Sequence, residues 1–209
     1  MCHSKGRAMS NQETRAIARQ ETKALVRELK THGTILGGFV TLIWALEIVD
    51  FALGGALNVY GIFPRHLIGL RGILFAPFLH GSFAHLIANT IPFLTLGWFV
   101  MLKETRDFFV VTAITMLVSG LGVWLFGSSG VHIGASGLIF GYLGFLLARG
   151  YFERNIPSIF LSLIVGVLYG GGIWGIFPNQ PGISWEGHLF GFIGGILAAR
   201  LLARPKKVS

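Results

Sequence analysis

The chain has 209 residues, of which 53% are hydrophobic and 12% charged, with a formal net charge of +8 and a single cysteine, Cys2. Several apolar runs approach 20 residues, so an ordinary soluble domain is excluded, and one cysteine excludes an internal disulfide. The positive charge is gathered at the margins of apolar runs, which points to membrane topology and acidic lipid headgroups rather than to nucleic acid.

Residues 1–33 are polar and basic, with seven Lys/Arg against three Glu, and the helix formers from Gln12 to Lys30 predict a soluble helix or surface arm. That stretch is too long and too charged for the front of a cleaved signal peptide. Six apolar segments follow: Thr34 to Leu57, Ala84 to Leu102, Phe108 to Phe126, the short Ser136 to Ala148, Ile156 to Phe177, and Gly187 to Ala203. Residues 58–83 form a long connection with apolar patches too short to span, and 204–209 form a basic tail. The expected organisation is therefore an arm (1–33), one all-α six-span core (34–203) and a tail (204–209), with no second domain and no long repeat. The 30 glycines suit helices that pack closely in a membrane.

With six spans both termini lie on one side, and that side receives 15 of the 17 Lys/Arg; only Arg65 and Arg71 fall on the other. The positive-inside rule then places both termini in the cytoplasm. A compact core of this kind fits a bacterial cytoplasmic membrane.

Depth singles out the polar residues that could carry chemistry. The fourth run is short: at 1.5 Å per residue it covers about 18 Å of a bilayer core about 30 Å thick. If Arg149 marks the cytoplasmic face, Ser136 sits roughly 10 Å below the outer one. His188 lies 12 residues before Arg200, hence at the same level, about 18 Å up. A nucleophile and its base need such hydrogen-bond reach. Read singly, Ser136 could be a packing serine and His188 a hydrogen-bonded intramembrane histidine, although an ionisable group at that depth favours function. Gly137, Gly141 and Gly144 on the fourth segment, and Gly187, Gly191 and Gly195 on the sixth, form small faces that allow close approach.

His85 and Asn89 share one face of the second segment. Asn89 is 14 residues above Lys103, about 21 Å, again the level of Ser136. The pair could donate to a developing oxyanion, or simply bond between helices. His80 and His85 are spaced poorly for helical metal ligands and no His-Glu-x-x-His occurs, so no metal site is expected. Gly134-x-Ser136 is not a hydrolase nucleophile elbow, since Leu138 replaces the last glycine and no strand precedes it. Glu47 and Asp50 in the first span could orient a histidine as a triad acid, but pairing with neighbouring helices or lining the outer edge is the expected role. His132, His66, His32 and His3 fall in loops or the arm and are expected to be solvated.

Together, His80-x4-His85-x3-Asn89, Gly134-x-Ser136-Gly137 and Gly187-His188 with its spaced glycines resemble the rhomboid family of intramembrane serine proteases, in order and on the corresponding helices. The resemblance implies a six-helix bundle whose short fourth helix carries Ser136 as nucleophile, with His188 as general base in a dyad without an acid. It implies an oxyanion hole from the Ser136 N–H, His85 and Asn89, with Gly134 shaping the turn, and no cofactor. Gly137, Gly191, His80 and Phe140 would be structural near the site, His80 tying the first loop to the second helix. The fifth helix and the turn Pro178 to Glu186 would be gate and cap, and the substrates would be transmembrane segments of other proteins. The family often has Trp-Arg where this chain has Leu70-Arg71, and tyrosine where Phe140 stands; Phe140 can still stack on His188. Two other readings are a catalytically inactive relative that binds membrane clients, and a small transporter with His85, Asn89 and Glu47 as a polar pathway. The first usually lacks the serine or histidine; the second does not need Ser136 and His188 at one depth.

Overall fold

A computed structural model describes residues 11–178 and 182–203, apart from the side chains at 11, 13, 14 and 16. Residues 1–10 of the arm, with Cys2 and His3, the tail 204–209, and 179–181 in the turn Pro178 to Glu186 lie outside the described residues. Among the described residues there are six long helices and no strand: α1 (Asn11–Ala52), α2 (Phe83–Met101), α3 (Thr105–Phe126), α4 (Ser136–Glu153), α5 (Ile156–Tyr169) and α6 (Trp185–Leu202). The protein is an all-helical membrane bundle.

Among the described residues four stretches are long and apolar enough to cross a membrane: Ile17–Ala52, Phe83–Met101, Thr105–Phe126 and Ile156–Ile176. The 18-residue α4 and α6 carry charged residues instead, and they form the inner pair, packed on each other with α3 alongside both. Their glycine faces meet backbone to backbone. A Cβ on Gly191 would stand 2.2 Å from the Gly137 carbonyl oxygen, and one on Gly195 would stand 1.9 Å from that of Gly141. No larger residue fits either position. By contrast α5 is the outermost helix, with Ile156 84% and Val167 86% exposed, as a lipid-facing surface requires.

Three helices differ from the sequence expectation. The arm and first span are one helix, α1 running unbroken through residue 33. The fifth segment is α-helical only to Tyr169 and continues as a 3-10 turn through Gly170–Ile176, where three consecutive glycines lower helix propensity. The fourth helix does not stop at Ala148. Arg149 is buried, donating to Asp107 (3.3 Å) and Glu153 (3.1 Å), so it ends no apolar run and the helix gains another turn. Glu153 also accepts from Lys103 (2.8 Å), Ser158 (2.6 Å) and Asn155 (3.1 Å), which joins the lower ends of α3, α4 and α5.

The connection before α2 is pinned to the C-terminal end of α3. Arg65 donates through its N–H to the Trp124 carbonyl and through its guanidinium to that of Gly127, and the Trp124 indole donates to the His66 carbonyl, all at 2.9 Å. These contacts satisfy helix-end carbonyls that otherwise lack donors. Arg71 lies over the Tyr60 ring at 4.5 Å and donates to Val59, so the loop is anchored without a tryptophan before the arginine.

Candidate active site

The serine turn is built by backbone pairing. Ile62 and His132 exchange both N–H···O=C bonds, and the Gly134 N–H donates to the Ala76 carbonyl at 2.9 Å, so the first loop sets the path of residues 132–134. Gly134 then takes φ 118°, open to glycine but strained for other residues. A Cβ there would also stand 2.7 Å from His85 Cε1. The chain therefore turns against His85 and starts α4 at Ser136.

α4 has no side-chain cap at its N-terminus. Its first N–H groups keep their donor capacity and the positive end of the helix dipole, an arrangement suited to negative charge. The other helices bordering the site are capped: Ser82 accepts the His85 N–H on α2, and Ser184 accepts the Gly187 N–H on α6.

Ser136, His188, His85 and Asn89 line one cavity of about 900 Å³, with Phe140, Tyr169 and the turn Ser128 to Ile133 on its walls. Asn89 is buried and its Nδ2 has no partner, a donor held in readiness where an apolar residue would cost less. In α2, Pro92 lacks the N–H that would bond the Ala88 carbonyl, and both line the cavity, so the helix is polar on that side.

His188 is held on two sides. Its ring stacks on Phe140, centroids 4.1 Å apart and 7° from parallel. Its Nδ1 lies 2.9 Å from the Gly175 carbonyl oxygen. A carbonyl can only accept, so Nδ1 carries the proton and Nε2 is left with a lone pair. Gly175 has to be glycine: a Cβ would lie 2.8 Å from Phe140 Cζ and 3.2 Å from Nδ1. No hydrogen bond joins His188 to Ser136, and such contacts are often long before substrate engages.

His80 sits beneath the turn. Its Nε2 accepts the Ala135 N–H at 3.5 Å and its ring meets that of His85 edge-on at 5.1 Å, so it ties the loop to the serine turn as well as to α2. The two acids of the first span are not aimed at a histidine. Asp50 accepts the Leu57 N–H at 2.6 Å, while Glu47 is buried with Oε2 unpartnered. Among the described residues no three His, Cys, Asp or Glu side chains cluster as a metal ion needs.

One histidine expected to be solvated is not: His32 is buried, 2.9 Å from Thr105 Oγ1. His132 is half-exposed, with its ring nitrogens bonded to Ser184 and Ser128. His66 is exposed. Gly175, Pro92, Ser184 and Glu186 also border the site and carry no motif in the sequence. A proline inside an apolar segment was the one visible signal among them.

The sequence matches the Rhomboid domain family over residues 69–205. It is 44% identical over 184 residues to an uncharacterized protein of Mycobacterium tuberculosis, covering 84% of this chain and 77% of that one. It is 31% identical over 182 residues to the rhomboid protease GluP of Bacillus subtilis (80% of this chain, 35% of GluP). It is 33% identical over 145 residues to RHOMBOID-like protein 4 of Arabidopsis thaliana (64% of this chain, 34% of that one). With most of its length matched and a helical membrane bundle around the serine turn, the chain belongs to the rhomboid family.

Proposed function

We propose that this chain is an intramembrane serine endopeptidase that cuts transmembrane segments through an acyl-enzyme, with Ser136 as nucleophile and His188 as base. Family membership supports intramembrane protease activity in general. One observation carries the finer reading: Ser136, at the uncapped start of α4, shares a cavity with a histidine whose Nδ1 is committed to a carbonyl.

A helical peptide bond keeps its carbonyl in the helix, so a substrate segment has to unwind locally, and its freed backbone groups need partners inside the protein. Ser136 Oγ attacks the exposed carbonyl carbon while His188 Nε2 takes the hydroxyl proton. The negative charge on the former carbonyl oxygen is met by the Ser136 N–H, Asn89 Nδ2 and His85. The tetrahedral species collapses, His188 returns the proton to the leaving amine, and the acyl-enzyme is hydrolysed by water that His188 deprotonates. Water reaches the site past Ser128 to Ile133. The Lys/Arg distribution supports cytoplasmic termini, with residues 1–33 as the arm, 34–203 as the core and 204–209 as the tail.

Cleavage of a transmembrane reporter reconstituted in vesicles tests this reading. The expected result is cleavage by the natural sequence and none by Ser136→Ala or His188→Ala. Full activity of Ser136→Ala overturns it.

A further inference from the structure

The candidate base has an orienting carbonyl on its ring, but nothing on that ring sets where the start of α6 stands relative to the serine turn. A separate set of bonds joins them. Ser128, in the turn leading to Ser136, is held from both sides of its residue: its N–H donates to Glu186 Oε1 at 2.8 Å, and its carbonyl lies 2.9 Å from His132 Nε2. His132 Nδ1 lies 2.6 Å from Ser184 Oγ, and Ser184 accepts the Gly187 N–H at 3.3 Å.

The proton positions follow from chemistry. The Ser128 carbonyl can only accept, so His132 Nε2 donates to it. The Ser184 hydroxyl bonds His132 Nδ1 and also accepts from Gly187. Every bond in the chain has one donor and one acceptor. The next residue after Gly187 is His188. The Gly187 carbonyl is held too, by the Ser119 hydroxyl of α3 at 2.9 Å.

The bracket borders the nucleophile. His132 is four residues before Ser136, and its backbone is fixed on Ile62. His132, Ser184, Gly187 and Ser136 line one small cavity of about 40 Å³. Glu186 is 2% exposed. Residues two apart on a helix do not face each other, and the hydrogen bond that Glu186 makes is to the turn.

We infer that Glu186 and His132, by clasping Ser128 from its two sides, are positioning residues that set the start of α6, and with it His188, against the serine turn. This rests on the Ser136–His188 reading and extends it. A carboxylate buried on one backbone N–H is expensive unless that bond is needed. Displacement of about 1 Å between reacting groups lowers a rate about a hundredfold.

The test measures kcat and KM for a transmembrane reporter, with the rate of fluorophosphonate labelling, on the full chain in vesicles. Glu186→Ala is expected to lower kcat and the maximal labelling rate about ten- to a hundredfold, with KM changed by less than about twofold. Glu186→Gln, whose amide oxygen still accepts the Ser128 N–H, is expected to recover most of that loss. Adding His132→Ala to Glu186→Ala is expected to cost far less than the product of the single losses, since both release Ser128. If Glu186→Ala does not fold, Ser184→Ala takes its place with the same expected split. Unchanged kcat in Glu186→Ala, or a Gln variant as slow as the Ala one, overturns the inference. Ser136→Ala run in parallel separates the failures. If it labels like the natural sequence, the protease reading is wrong and this inference falls with it. If it is silent while Glu186→Ala labels at full rate, only this inference is wrong.

Discussion

The two ends of α4 treat polar groups in opposite ways. At the lower end Arg149 and Glu153 are both nearly inaccessible, and every contact they need is present: Asp107, Lys103, Ser158 and Asn155 surround them. At the upper end the helix has no side-chain cap, Asn89 Nδ2 has no partner, and a cavity of about 900 Å³ separates the walls. Leaving donors unsatisfied costs free energy in any apolar surrounding. The lower end uses its polar groups to hold three helices together, and the upper end leaves them facing a cavity.

That contrast can be broken from either side. Arg149→Ala is expected to have the largest effect on stability, a loss of about 3–5 kcal/mol, because Asp107 and Glu153 both lose the buried guanidinium and Glu153 is left with Lys103 as its cation. Thermal unfolding in detergent measures it, and the protein that remains folded should label at Ser136 at the normal rate. Asn89→Ala is the mirror image: reporter cleavage should fall about tenfold to a thousandfold for a lost oxyanion donor, while the melting temperature stays level or rises. A melting temperature lowered as far as by Arg149→Ala would remove the distinction. Gly175→Ala is expected to slow cleavage about ten- to a hundredfold by pushing the base off its carbonyl, with little change in unfolding. Lys103→Ala should be the mildest, under about 1 kcal/mol, since that side chain is 38% exposed and its attraction to Glu153 is screened.

The same contrast explains what the sequence could reveal. Apolar runs located the six long helices, and four stretches are long and apolar enough to cross a membrane, since a helix in lipid has to be apolar over its crossing. Depth counting set Ser136, His188 and Asn89 at one level, His85 joined them by sharing the helix face of Asn89, and all four line the cavity. The end of α4 was misjudged because Arg149 alone reads as a membrane-face charge, and its neutralising partner Asp107 is 42 residues away. The clasp on Ser128 was hidden for the same reason: Glu186 is 58 residues from it, and Ser184 is 52 from His132. The bonds of a histidine in a polar turn are hidden until the helix that packs beside it is known. The Gly175 carbonyl was invisible too, since a backbone acceptor has no side-chain signature. Spacing along one helix is legible; pairing between helices is not.

The most direct measurement is fluorophosphonate labelling of the purified protein beside Ser136→Ala and His188→Ala, with the modified residue located by mass. The natural sequence is expected to label at Ser136 and neither variant to label. A folded natural protein that does not react, or a Ser136→Ala variant that labels equally, would contradict it.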